Sequence, residues 1–300
     1  MAEIIQKDGT WTFDGDTVRI VPGRDKGVGL LRQNLGEVAV PLRAVAGISY
    51  EPGRKAGRLR LRLRDGADPL LQVTGGRLAE SSDPYRLTVE ADRTGVAEYF
   101  VDEVRNALLL EQVESGPVDT YLLPGPSVPI AVSAGDGTVA FDGDRLLLEW
   151  NWKTEDAKSS GGARSFRVTD VKTVEWFPAA GLENGWLRFT LAGATASAPA
   201  PKYDPHAVEL FGFKKDPLMA LVAAAVAVRL PHPATAPAEA APEPVAALAM
   251  AAAGAARSAE EPVDHDSLLR RLRELGELHQ SGILTADEFT AAKQAVLRRF

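Results

Sequence analysis

Two pairs of carboxylates stand one residue apart in the chain, Asp14 with Asp16 and Asp142 with Asp144. Carboxylates at that spacing can share a hard cation, or divide acid and base duties between them. Either chemistry needs further ligands or a proton-transfer partner, and none lies at a supporting spacing. Turn residues beside a strand are the preferred reading. Gly23-Arg24-Asp25-Lys26-Gly27-Val28-Gly29 is glycine-rich like a phosphate-cradling loop, but it lacks the Gly-Lys-Ser/Thr ending. A long hairpin loop with no helix behind it is expected there. His206, His232, His265 and His279 are far apart in sequence, which argues against a zinc site. The chain has no cysteine, which excludes a thiol nucleophile and a disulfide framework. With no nucleophile–base pair, metal set or cofactor loop, the sequence predicts neither an enzyme nor a bound cofactor.

Two other sets of side chains invite binding rather than catalysis. The N-terminal part carries a basic set: Arg24, Lys26, Arg32, Arg54, Lys55, Arg58, Arg60, Arg62 and Arg64. Of these, Arg24, Lys26, Arg54, Lys55, Arg58, Arg60 and Arg62 form a candidate face for an anionic ligand, because guanidinium groups suit phosphate geometry. The competing reading, a solvated strand face balanced by nearby acids, is preferred. Trp150, Trp152, Trp176, Phe177 and Trp186 fall in the second half. Trp150 and Trp152 are expected on one strand face, in a core or an inter-barrel contact rather than a ligand groove. The net charge of −7 argues against a general nucleic-acid partner, which needs clustered Lys and Arg.

These side chains need a frame, and the frame is duplicated. Asp8-Gly9-Thr10-Trp11-Thr12-Phe13-Asp14-Gly15-Asp16 returns 128 residues later as Asp136-Gly137-Thr138-Val139-Ala140-Phe141-Asp142-Gly143-Asp144. Val45, Ile48 and Tyr50 are matched by Val171, Val174 and Trp176. Leu59, Leu61 and Leu63 are matched by Leu187, Phe189 and Leu191, and Asp83-Pro84 by Asp204-Pro205. Strict alternation from Arg58 to Arg64 places the leucines in a core and the arginines outside. Each copy closes on a helical pattern, Gly95 to Leu110 and Pro217 to Leu230, the first with a stripe of Val96, Phe100, Val104 and Leu108. Phe13 and Phe141 are expected at equivalent buried sites. At roughly 110 residues, each copy is long enough to bury its own core. The longest apolar run, Leu218 to Val228, is too short to span a bilayer core of roughly 30 Å and reads as a buried helix.

Roughly six or seven strands followed by one helix in about 110 residues is the plan of a pleckstrin-homology-like barrel. The Phe-Asp-Gly-Asp turns, the Val-x-x-Ile-Ser-Tyr and Val-x-x-Val-Glu-Trp segments and the closing helices resemble a bacterial family of uncharacterised PH-like repeats, a domain of unknown function in two copies. The expected fold is therefore mainly β with α: two tandem PH-like β-barrels at 1–115 and 128–230, each closed by a C-terminal helix. The resemblance implies a fold and no chemistry.

From Pro231 to Pro262, 20 of 32 residues are Ala or Pro, which predicts a disordered, flexible linker. Ordered patterning resumes at 264–300. Leu268, Leu272 and Leu275 lie on a first helix, Gly282 suits its C-terminal cap, and Thr285 with Glu288 opens a second helix carrying Phe289 and Val296. Leu275 to Phe289 resembles the SHOCT short C-terminal domain, which implies an oligomerisation or interaction role. A hairpin this small needs a further surface, since domains below about 40 residues rarely stand alone. Leu268, Leu272, Leu275, Phe289 and Val296 are the candidate self-association stripe. The expected function is a non-catalytic interaction or scaffold protein, with itself and an unidentified protein as partners. The alternative is binding to an anionic membrane surface or ligand through the basic face of repeat 1. The N-terminus shows no signal-peptide pattern, so a cytoplasmic place is expected, with a peripheral membrane position under the alternative.

Overall fold

The computed structural model describes residues 1–181, 183–193 and 198–235. Repeat 1 begins with β1 (Ala2–Gln6), β2 (Gly9–Phe13), β3 (Thr17–Pro22), α1 (Leu30–Leu35) and β4 (Val38–Pro41). The four strands form one antiparallel sheet in the order β1-β2-β3-β4. β5 (Val45–Glu51), β6 (Ala56–Leu63) and β7 (Arg86–Glu90) form a second antiparallel sheet, with α2 (Pro69–Thr74) in the connection between β6 and β7. α3 (Thr94–Leu110) follows. Repeat 2 has the same order: β8 (Ile130–Ala134), β9 (Gly137–Phe141), β10 (Arg145–Trp150), α4 (Asp156–Ser159) and β11 (Arg164–Arg167) supply the four-stranded sheet. β12 (Val171–Phe177), β13 (Gly185–Leu191) and β14 (Ala207–Leu210) form the three-stranded sheet, and α5 (Met219–Ala227) comes last. The molecule is thus mainly β, duplicated, with a helix after each set of strands.

Local chemistry explains the repeated turns. Asp14 Oδ1 accepts from the backbone N–H of Asp16 at 3.0 Å and Thr17 at 2.8 Å; Asp142 Oδ1 does the same for Asp144 and Arg145, both at 2.8 Å. Gly15 and Gly143 between them sit at φ +113° and +115°, where a side chain is strained. The paired carboxylates are turn residues, as their surroundings in sequence suggest. These donated hydrogen bonds, from Asp16 then Thr17, and from Arg145 then Asp144, hold the Asp14 and Asp142 carboxyls below the usual range.

In repeat 1, β6 alternates without a break: Leu59, Leu61 and Leu63 are buried and Arg58, Arg60 and Arg62 exposed. The leucines meet Trp11, Phe13, Val18 and Ile20 of the other sheet in one apolar cluster, which Ala97, Phe100, Val101 and Val104 of α3 complete. Phe100 and Val104 are on the expected stripe, while Val96 and Leu108 lie at its half-buried margins.

Repeat 2 corrects the expectation that each copy buries its own core. Its apolar cluster takes in Leu31, Leu70 and Val73 of repeat 1. Every residue of α5 is buried, because α2 packs on α5 in addition to repeat 2's own strands. Both repeats belong to one compact unit. α2 carries its own start and stop: Asp68 accepts from Leu70 and Leu71 N–H, Pro69 opens the helix, and Gly75 ends it at φ +52°. The glycine-rich stretch before α1 also departs from expectation, since a six-residue helix does follow it. That helix forms because Leu31 and Arg32 are buried beneath it.

The chain stays packed past Leu230. His232 is buried, its Nε2 lies 3.0 Å from the Gly66 carbonyl, and its ring meets Tyr121 edge-on. The rest of the expected linker, and the hairpin with Leu268, Leu272, Leu275, Phe289 and Val296, lie outside the described residues.

Candidate functional site

The duplicated acids mark the places where the two repeats can be compared atom by atom. In the β1–β2 turn, Asp8 Oδ2 accepts from the Thr88 N–H of β7 at 3.0 Å, and in the β8–β9 turn Asp136 Oδ1 accepts from the Glu209 N–H of β14 at 2.9 Å. Each acid therefore ties one sheet of its repeat to the edge of the other. Each also meets a cation from the short helix that follows the third strand: Arg32 of α1 and Lys158 of α4. Lys158 is fully enclosed. Its Nζ donates to Asp136 Oδ2 at 2.6 Å and to the Pro201 carbonyl at 3.3 Å, and lies 4.5 Å from the centre of the Trp150 ring. Burial pushes the Asp136 carboxyl up, against the downward pull of Lys158. Arg32 is held more loosely. It donates to the Asp8 carbonyl at 2.9 Å, its nearest approach to the carboxylate is 3.7 Å, and its buried Nε has no hydrogen-bond partner among the described residues.

A second pair of acids diverges further. Asp83 and Asp204 each accept from the N–H two residues on, at 3.0 and 2.9 Å. Asp204 then takes Arg188 of β13 at 2.8 Å, and Arg188 also donates to the Pro199 carbonyl at 2.7 Å. By register, Arg188 corresponds to Arg60, and Ala207 to Arg86. In repeat 1 it is Arg86 that occupies Asp83, at 3.0 Å, and Glu80, at 2.6 Å. Among the described residues Arg60 is left without an ion pair or side-chain hydrogen bond, and so is Arg58. Arg60 lies across the ladder from Ser49 on one side and Arg86 on the other. Like charges placed opposite one another are unfavourable unless something neutralises them.

A groove of about 420 Å³ opens over this part of repeat 1 and is lined by Arg32, Arg58, Arg60, Arg86, Asp8 and Thr88, with Ser49 and Ser81 among its hydroxyls. Of the basic face read from the sequence, only Arg58 and Arg60 line it; Arg24, Lys26, Arg54, Lys55 and Arg62 do not. Arg32 and Arg86 were missing from that face. Arg32 was legible in principle, because a basic residue stands 24 places after Asp8 and 22 places after Asp136.

The aromatic set is divided. Trp176 is in the core, and Phe177 stacks on Trp186 at 4.5 Å, with Arg77 of repeat 1 lying 4.0 Å over Phe177. The Arg77–Phe177 contact joins the two repeats. β10 ends at Trp150, so the shared strand face is not formed: Trp152 lies in the turn beyond and is 89% exposed. It stands with Phe213 near Lys153. Among the described residues no group of His, Asp or Glu could hold a metal ion, and no helix is long and apolar enough to cross a membrane.

The family described as domain of unknown function (DUF4429) matches residues 11–105 and 139–227, one match on each repeat and more than half the chain together. The chain belongs to this family. Each DUF4429 match starts within the second strand of its repeat and ends within or at the end of its closing helix, so the family boundaries follow the duplicated frame. The short C-terminal domain, SHOCT, matches residues 270–297. No curated protein matches the chain.

Proposed function

We propose that this protein is a non-catalytic interaction scaffold: a rigid double head made from two PH-like barrels, carrying a C-terminal hairpin that joins chains together. The observation that supports it most is the shared core. α5 is buried on every side, with α2 of the other repeat as part of its cover, so the two DUF4429 repeats bind each other and present a single surface. The match of residues 270–297 to a short C-terminal domain supplies a segment too small to bury its own apolar stripe. Linked to a rigid head, such a segment raises avidity without new contacts. A cytoplasmic place fits the absence of cysteine. The decisive experiment is native mass spectrometry of the full chain and its Leu272→Asp variant at micromolar concentration. The wild type is expected to self-associate and the variant to fall to a lower order, because a charge in an apolar seam must be desolvated. Two monomers would refute the assembly reading.

A second reading has its own support. The unpaired Arg58 and Arg60 over a polar groove favour an anionic ligand or membrane surface at repeat 1.

A further inference from the structure

We infer that the groove of repeat 1 is a binding site for a phosphomonoester group, held by Arg58 and Arg60, with Arg32 also in its lining. The inference rests on the second reading above and gives that anion its chemistry. The two repeats share one frame, and only one of them has the site. In repeat 2 the segment Pro199 to Asp204 lies over the equivalent surface: the Pro199 carbonyl takes Arg188, the Pro201 carbonyl takes Lys158, and the Asp204 carboxylate takes Arg188 again. Trp186 stands where Arg58 does. Arg188 and Lys158, the counterparts of Arg60 and Arg32, are thus both taken up by the chain itself. In repeat 1 the same connection returns past the groove at Glu80 and Ser81 without taking Arg58 or Arg60, Arg86 satisfies Asp83, and the surface stays open with two arginines unmatched among the described residues.

The choice of phosphomonoester follows from the lining. Four arginines line the groove, Arg86 already paired with Asp83 and Glu80, and the lining also holds Ser49, Ser81 and Thr88. Arg32 is only 4% exposed, and its Nε–H is a buried donor without a partner. A dianionic tetrahedral group offers enough oxygens to meet Arg58 and Arg60 together with the groove's hydroxyls. A planar carboxylate offers two. Asp8, Glu51 and Glu80 also line the groove. Glu80 is paired with Arg86, while Asp8 Oδ1 is an acceptor without a partner among the described residues, so the ligand's body carries hydroxyl donors beside its phosphate.

The test uses the full chain. Glucose 6-phosphate in calorimetry represents a soluble source. Neutral phosphatidylcholine vesicles doped with phosphatidic acid represent a lipid source, and vesicles doped with phosphatidylglycerol supply negative charge as a phosphodiester. Binding of the soluble ester, of phosphatidic acid vesicles, or of both supports the site and says which source fills it. Arg58→Gln and Arg60→Gln should each weaken that binding about 10-fold or more, while Arg54→Gln, outside the groove, should change it less than about 2-fold. Circular dichroism of each variant checks that the fold persists. Absence of binding to both phosphomonoesters overturns the inference, and so does equal loss in Arg54→Gln. If phosphatidylglycerol vesicles then still bind, the broader anionic reading survives without this site; if they do not, both fall.

Discussion

The helices α3 and α5 follow equivalent sets of strands and have opposite characters. α3 buries Ala97, Phe100, Val101 and Val104 and leaves Tyr99, Leu109 and Leu110 exposed. α5 exposes nothing. One helix covers its own repeat, and the other is the seam between two. A helix with a polar face tolerates change on that face, whereas a helix apolar all round has no such freedom. The duplicated frame therefore distributes stability unequally, with repeat 2 dependent on repeat 1.

The largest effect should come from putting a charge into the seam. Ala224→Glu on α5 should cost several kcal/mol, because the carboxylate has no partner there, and both repeats should lose structure in one transition. Leu109→Glu on α3 should shift stability by less than about 0.5 kcal/mol. Denaturant titration followed by tryptophan fluorescence reads both, and two separate transitions in the Ala224 variant would break the shared-core argument. Next come the matched phenylalanines. Phe13→Ala and Phe141→Ala should each cost about 3–5 kcal/mol; clearly unequal midpoints would mean the frame is less symmetric than its register.

The ion pairs sharpen the comparison. Asp136→Asn leaves the enclosed Lys158 without its counter-charge and should cost about 3–5 kcal/mol. Asp8→Asn leaves Arg32 its carbonyl bond and should cost less, about 1–3 kcal/mol. Equal losses would show that Arg32 is as tightly committed as Lys158. The smallest effect is a pH dependence. Burial holds the Asp68 carboxyl, which accepts from the Tyr85 hydroxyl at 2.8 Å, above its ordinary value. A raised carboxyl contributes stability that is fully present below the unfolded pKa of about 3.9 and is lost as pH rises through the folded value. Wild-type stability should therefore fall relative to Asp68→Asn as pH rises from about 4 towards neutrality. A parallel pair of curves would remove Asp68 as the cause.

Much of the frame was legible because it is written at short range. The alternation in β6 and the Asp-Gly turns need only neighbours a few residues apart, and both appear as the sequence implies. α2 was missed although Asp68, Pro69 and Gly75 mark its ends. Six residues carry too little periodicity to stand out, and the surface they cover lies about 150 residues further on. The groove was half legible. Charge counting found Arg58 and Arg60 but also five cations outside the groove, because which arginine stays free depends on which acids are already taken. Asp83 is claimed by Arg86, and Asp204 by Arg188. That choice is made by register across strands, and composition does not contain it.

The fully enclosed α5 has a consequence for how the chain is born. A ribosome finishes α2 at Thr74 and does not finish its cover until Ala227. At about 5–20 residues per second, roughly 10–30 s pass in which the apolar side of α2 faces the cell uncovered. Leu31, Leu70 and Val73 are thus apolar surface left open to a nascent-chain chaperone, and slowing translation across repeat 2 would lengthen the interval in which the half-made protein can stick to another.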